Sequence, residues 1–150
     1  MDARNFYREA AVRGASPVQL VVQLYDQILE DLRHVASAIE EKDIRRRTDR
    51  VRHALLVIGH LQSSLDFAQG GEIAKNLERF YNALRQNLVS LQFRPTKRAA
   101  QQLTTDVLAV RSSWVEVERI EGAKAAAARQ TPASSPSLAQ TERARIDWKG

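Results

Sequence analysis

The sequence has 150 residues with 43% apolar and 27% charged side chains, a composition typical of one globular domain. It contains no cysteine, which excludes a disulfide framework, a thiolate metal site and a cysteine nucleophile. Residues 1–16 have no apolar segment like that of a signal peptide, and no apolar run reaches the roughly 18 residues of a membrane span. We therefore expect a cytoplasmic protein without a membrane span.

Glycine and proline are few and clustered, and the stretches between them mix apolar and polar residues. The intervals suit helices of about twenty residues or more and contain no strand-like segments. The first predicted helix begins at Pro17, since the Ser16 hydroxyl can cap it and proline suits the first helical position. Its apolar seam, with steps of three or four residues, is Val21, Tyr25, Ile28, Leu32, Val35 and Ile39.

The second predicted helix is capped by Asp43 and extends to about residue 68. Gly59 lies inside this helix, and we attribute it to the close approach of a neighbouring helix. Gly70 and Gly71 are predicted to reverse the chain before the third helix. The third apolar seam is Ile73, Leu77, Phe80, Tyr81, Leu84, Leu88 and Leu91.

A fourth helix is predicted after Pro95, with an apolar seam from Leu103 to Val117. Because all the connections are short, successive helices should be antiparallel neighbours. The sequence therefore predicts an all-α fold, an antiparallel up-down-up-down four-helix bundle over residues 17–121. A short N-terminal capping segment over residues 1–16 precedes it, and a disordered basic tail over residues 122–150 follows it.

The tail prediction rests on composition. From Gly122 onward the chain is rich in Ala, Ser, Pro and Gln, with five basic side chains against two acidic ones. Its large apolar residues are limited to Leu138, Ile146 and Trp148, too few to offset the entropy cost of ordering. Residues 124–129 could still extend the fourth helix.

The N-terminal segment carries Phe6, Tyr7 and Val12 in an otherwise polar sequence. Exposing these side chains to water would be unfavourable, so we expect them to lie in a groove of the bundle. Two interpretations stay open, a permanent hydrophobic cap and a plug that a longer partner displaces.

Catalytic and metal sites are not predicted. Asp31 and His34 have the spacing of one half of a di-metal centre, but no second copy exists, so we interpret them as part of a solvated helix face. The serines lack a nucleophile-elbow context, and Gly70-Gly71 lacks the lysine of a phosphate-binding loop. We expect a protein that is not an enzyme and has no cofactor.

The arginine run at the start of the second helix is the best case for nucleic acid. Guanidinium groups suit phosphate, but Asp49 interrupts the run and no aromatic residue is interleaved for base stacking. The run comprises Arg45, Arg46, Arg47, Arg50 and Arg52. One hypothesis is therefore a basic bundle that binds nucleic acid or an acidic protein through residues 45–52 and the tail.

Two short motifs support a different hypothesis. Ala15-Ser16-Pro17 is followed by Leu24-Tyr25-Asp26, and Tyr7 precedes both. Further on come the segment 71–74, Gly-Glu-Ile-Ala, and Trp114 near the end of the fourth helix. In these motifs the sequence resembles the flagellar secretion chaperone family FliS over roughly residues 5–118.

The resemblance implies a four-helix bundle that binds the disordered C-terminal segment of flagellin in hydrophobic grooves. Such binding prevents premature polymerisation and keeps flagellin competent for type III secretion, and export gate components or flagellar regulators are further expected partners. Tyr7 carries over as a partner-binding or capping residue. With the bundle seams, the expected partner-binding residues are Phe6, Tyr7, Val12, Leu24, Tyr25, Ile28, Leu77, Tyr81 and Leu84. On this hypothesis no nucleic acid is expected as a partner.

Overall fold

The computed structural model describes residues 14–134, with side chains to residue 129. This part of the chain contains four helices and no strand, which confirms the predicted all-α fold. The helices are α1 (Pro17–Glu41), α2 (Ile44–Ser63), α3 (Phe67–Phe93) and α4 (Lys97–Ser134). The chain divides into two compact units, Met1–Trp114 and Val115–Gly150, and the bundle belongs to the first.

The first two helices begin where their capping residues predict. Ser16 and Gln19 form a capping box, in which the Ser16 hydroxyl accepts from the Gln19 amide and the Gln19 side chain accepts from the Ser16 amide. The Asp43 carboxylate accepts from the amide of Arg46, 3.1 Å away. Both local signals therefore fix the starts of α1 and α2.

The turn between α2 and α3 lies earlier than the sequence predicts. The chain reverses at Ser64–Asp66, where the Asp66 carboxylate caps α3 by accepting from the Gln69 amide. Gly71 has φ 52° and ψ −126°, which breaks the regular helix one turn after its start. Gly71 therefore separates the first helical turn of α3 from the long helix that follows, in a conformation that favours glycine. The break predicted at Gly70 and Gly71 is present, but α2 ends at Ser63, earlier than the predicted residue 68.

Polar pairs between the helices fix an antiparallel bundle. On α1 and α4, Glu40 lies 2.7 Å from Lys97 and Asp26 lies 2.6 Å from Arg111, so the two helices run in opposite directions side by side. The Arg47 guanidinium of α2 donates to the Gln92 side chain at the far end of α3, 3.1 Å away. With α1 also packed along α2, this arrangement confirms the predicted up-down-up-down bundle.

The core runs through all four helices and contains most residues of the predicted seams, but Ile73 and Val117 of those seams are exposed. Its fully buried side chains include Leu24, Tyr25, Ile28, Leu32, Val35, Val51, Ile58, Leu61, Tyr81, Leu84, Leu88, Leu91, Leu103 and Val107. Gly59 of α2 has no close helix neighbour, since a Cβ atom built there would meet only the Arg85 guanidinium, at 3.9 Å. The proposed reason for that glycine, a close helix approach, is therefore wrong.

The second unit begins inside α4. The helix continues without a break from Val115 to Ser134, beyond the boundary at residue 121 that the sequence predicts for the bundle. Four consecutive alanines at 125–128 explain the extension, since alanine has the highest intrinsic helix propensity. The remainder of the predicted tail, residues 135–150, lies outside the described residues, as does the predicted capping segment up to residue 13.

Candidate functional site

An apolar groove lies at the end of the bundle where α2 turns into α3. Its volume is about 210 Å³. Ile73 at its rim is 70% exposed, whereas Tyr81 at its base is 1% exposed. We call it the Leu77 groove; its apolar lining is Val21, Leu61, Leu65, Ile73, Ala74, Leu77, Tyr81 and Trp114.

Two tyrosines hold the base of the Leu77 groove. The hydroxyl groups of Tyr25 and Tyr81 are 2.8 Å apart, and the ring planes meet at 60° with centroids 6.3 Å apart. The Tyr25 hydroxyl also has a side-chain hydrogen bond with Trp114, whose indole N–H is a donor only. Burial raises the pKa of Tyr25 above 10.0, while these hydrogen bonds act in the opposite direction.

A longer groove follows the interface of α3 and α4. It consists of two cavities, of about 430 Å³ and about 260 Å³, which share Asn87 and Leu103 in their walls. We call it the α3–α4 groove. Its walls include the apolar residues Phe80, Ala83, Leu84, Leu91, Ala99, Leu103, Ala109 and Val110. Ala83 and Ala109 in these walls are exposed to solvent.

The structure separates the expected partner-binding residues into three groups. Leu77 and Tyr81 line the Leu77 groove, and Leu84 lines the α3–α4 groove. Leu24, Tyr25 and Ile28 are at most 2% exposed and belong to the core between the helices. Phe6, Tyr7 and Val12 lie outside the described residues.

Sequence reasoning missed several residues with accessible apolar surface. Phe93 at the end of α3 is 80% exposed, and Ile73 near its start is 70% exposed. Ala83 of α3 and Ala109 of α4 both line the α3–α4 groove.

The arginine run is largely engaged within the bundle. Arg46 contacts Glu41 and His34, Arg47 contacts Gln92, and Arg50 contacts Asp31. Among residues 14–134, Arg45 and Arg52 have no carboxylate within ion-pair distance. The run therefore does not form a continuous basic surface for phosphate, since two of its five arginines, Arg45 and Arg52, are left without such a contact.

Asp31 is a buried carboxylate, so the interpretation of a solvated face is wrong for this residue. It is 1% exposed and lies 3.1 Å from the Arg50 Nη1 and 2.6 Å from the His53 Nδ1, both on α2. These two donors compensate its burial. No group of three or more His, Asp or Glu side chains in the described part of the chain could hold a metal ion.

The part of the chain with described coordinates has no helix that is long and apolar enough to cross a membrane. The long helices instead place their apolar residues in one core and along two grooves. This geometry offers surface for binding an extended or helical chain.

Comparison with known proteins identifies the family. Residues 1–121 match the family model described as flagellar protein FliS. The chain is 31% identical over 106 residues to the flagellar secretion chaperone FliSB of Pseudomonas aeruginosa, which covers 71% of this chain and 84% of the relative. It is 27% identical over 110 residues to the flagellar secretion chaperone FliS of Salmonella typhimurium, covering 73% and 82% respectively. The chain therefore belongs to the FliS family of flagellar proteins.

Proposed function

We propose that the protein is a cytoplasmic export chaperone that binds the disordered C-terminal segment of flagellin. Binding would prevent premature polymerisation and keep flagellin competent for type III secretion. The family supports this role, since the relatives are named flagellar secretion chaperones. The observation that carries the proposal is the α3–α4 groove, an apolar channel on the surface of a closed bundle. The role requires no catalysis and no cofactor.

The length of the α3–α4 groove fits a helical segment. Its walls extend from Thr96, directly before α4, to Val110 on α4, which corresponds to about 20 Å at a rise of 1.5 Å per residue. Ordering a disordered partner costs about 2–5 kcal/mol or more. Burying about 200 Å² of apolar surface contributes roughly 5 kcal/mol, so a few leucine-sized side chains of the partner would offset that cost.

The Leu77 groove is a second contact surface in this proposal. Leu77 and the exposed Ile73 supply apolar area at its rim, and Tyr81 and Trp114 supply a rigid base. Tyr7 is proposed to bind the partner or cap the free chaperone, as the family resemblance implies. If Tyr7 contacts the partner, Tyr7→Ala is expected to lower flagellin affinity. If Tyr7 instead caps the groove of the free chaperone, the same variant is expected to raise it. Export gate components and flagellar regulators stay predicted partners.

Groove-filling variants test the proposal. Ala83→Arg and Ala109→Arg place long side chains in the α3–α4 groove, and both alanines are exposed, so the core is left intact. We expect each variant to weaken binding of the flagellin C-terminal segment by tenfold or more in calorimetric titration. Ala123→Arg is the matched control, an exposed alanine of the same helix outside the groove. Equal affinity for all three variants would overturn the assignment of this groove.

A further inference from the structure

The outer face of α2 and α3 combines exposed aliphatic side chains with arginines. Leu56 is 55% exposed and lies in a shallow cavity of about 630 Å³ between Arg52 and Arg85. Val89 is 42% exposed and lies one turn after Arg85 on the same side of α3. Gln92, one turn further, contacts Arg47 of α2, so this side of α3 lies next to α2. We call this surface the α2–α3 face. Its lining is distinct from that of both apolar grooves.

The positive charges on this face exceed the negative ones that the bundle places there. Arg45, Asp49, Arg52 and Leu56 follow one another along α2 at three- and four-residue steps, so they share one side of the helix. Asp49 is the single acidic residue among them. Within residues 14–134, Arg45 and Arg52 form no ion pair, and the Arg85 guanidinium donates to the neutral Gln62 side chain. The face therefore offers guanidinium groups around an apolar centre.

We propose that the α2–α3 face binds an acidic amphipathic helix of a partner protein. Glutamates or aspartates of that helix would pair with Arg45 and Arg52, while its aliphatic side chains cover Leu56 and Val89. Charge complementarity selects an acidic occupant, since guanidinium forms bidentate hydrogen bonds with carboxylates. Adjacent antiparallel helices form a shallow channel that suits a third helix.

The apolar centre favours a protein partner over nucleic acid. Leu55 and Leu56 line the cavity, and its described lining contains no Phe, Tyr or Trp, while the His53 ring there is held by the Asp31 carboxylate, 2.6 Å from its Nδ1. Single-stranded nucleic acid gains affinity from stacking on aromatic rings, and an aliphatic surface offers none. A duplex backbone would contact the arginines but leave the exposed leucine uncovered.

A synthetic peptide tests the proposal with the full-length protein. The probe is a helical peptide with leucines at i, i+4 and i+7 flanked by glutamates, measured by fluorescence anisotropy. A second peptide has glutamine at every glutamate position. We expect the acidic peptide to bind, and the glutamine peptide to bind about tenfold more weakly, since hydrogen bonds to charged groups are the stronger ones.

Variants locate the binding surface. Arg52→Glu and Leu56→Gln, both exposed, are expected to reduce affinity for the acidic peptide by about tenfold. Arg98→Glu is the matched control, an exposed arginine on α4 away from the face, and circular dichroism confirms folding of all variants. Unchanged affinity of Arg52→Glu would overturn the proposal, as would the absence of peptide binding or a preference for a single-stranded oligonucleotide. Ala109→Arg should leave peptide binding unchanged, so this result is independent of the flagellin groove.

Discussion

The hydroxyl group of Tyr25 on α1 lies 2.8 Å from the hydroxyl group of Tyr81 on α3, and both rings are buried. Tyr81 also lines the Leu77 groove, whereas Tyr25 is part of the core. The hydrogen bond therefore connects the core to the base of a proposed binding surface. Each phenol supplies the other with a polar contact in an apolar environment, and Trp114 supplies a second one to Tyr25.

The two tyrosines should be energetically coupled. We expect Tyr25→Phe and Tyr81→Phe each to lower the free energy of unfolding by about 1–2 kcal/mol, because each leaves a buried hydroxyl without this contact. The double variant should lose less than the sum of the two, by about 0.5–1.5 kcal/mol. Urea unfolding of the four proteins measures the cycle, and strictly additive losses would show that the pair is not coupled.

Stability should fall at alkaline pH because of Tyr25. Burial raises its pKa in the folded protein above the ordinary 10.0, while hydrogen bonds with Tyr81 and Trp114 oppose part of that effect. The unfolded chain therefore releases this proton first, so the contribution of Tyr25 is complete below about pH 10 and is lost as the pH rises further. Comparing urea midpoints at about pH 9 and about pH 11 should show a smaller decrease for Tyr25→Phe than for the unmodified protein.

The buried Asp31 should depend on Arg50. Arg50→Ala removes the guanidinium 3.1 Å from the carboxylate, and we expect a loss of about 1–3 kcal/mol in the free energy of unfolding. Arg50 is partly exposed, which keeps the expected loss below that for a fully buried ion pair. Arg45→Ala, five residues earlier on α2 and without such a contact, serves as the control and should change stability by less than about 0.5 kcal/mol. Equal losses for the two variants would contradict a specific role of Arg50.

Replacing Gly59 and Gly71 by alanine should change the stability of the protein in opposite directions. Gly59→Ala is expected to stabilise the protein by about 0.5–1 kcal/mol, because the new Cβ meets only the Arg85 guanidinium, at 3.9 Å. Gly71→Ala is expected to destabilise it by about 1–2 kcal/mol, since φ 52° disfavours an L side chain. Thermal unfolding midpoints distinguish them, and a lower midpoint for Gly59→Ala would mean that the helix there does require glycine.

Helix starts could be predicted from the sequence where a capping side chain marks them. Ser16 and Asp43 accept hydrogen bonds from backbone amides as predicted. The end of α2 is predicted too late because Gly70 and Gly71 are the clearest turn signal in this segment, whereas the Asp66 carboxylate already caps a helical turn before them. Two adjacent glycines permit several backbone conformations, and the sequence alone does not select among them.

The grooves were harder to predict than the core. Seams identify which side chains face a neighbouring helix, and Leu24 and Ile28 are indeed buried by such neighbours. Whether a helix pair closes or leaves a groove depends on how the two helices are spaced, which seam patterns do not specify, so lining residues such as Ala83 and Ala109 are not predicted. The burial of Asp31 is also not predicted, because aspartate generally prefers water. Its seven-residue spacing from the buried Leu24 and Ala38 nevertheless places it on the buried side of α1.

Calorimetric titration of the full-length protein with the C-terminal segment of flagellin from the same source tests the central claim most directly. The account predicts 1:1 binding that is nearly insensitive to salt and has a negative heat-capacity change, as expected for apolar burial in the grooves. Absence of binding at micromolar concentration, or binding that collapses as salt rises, would contradict it.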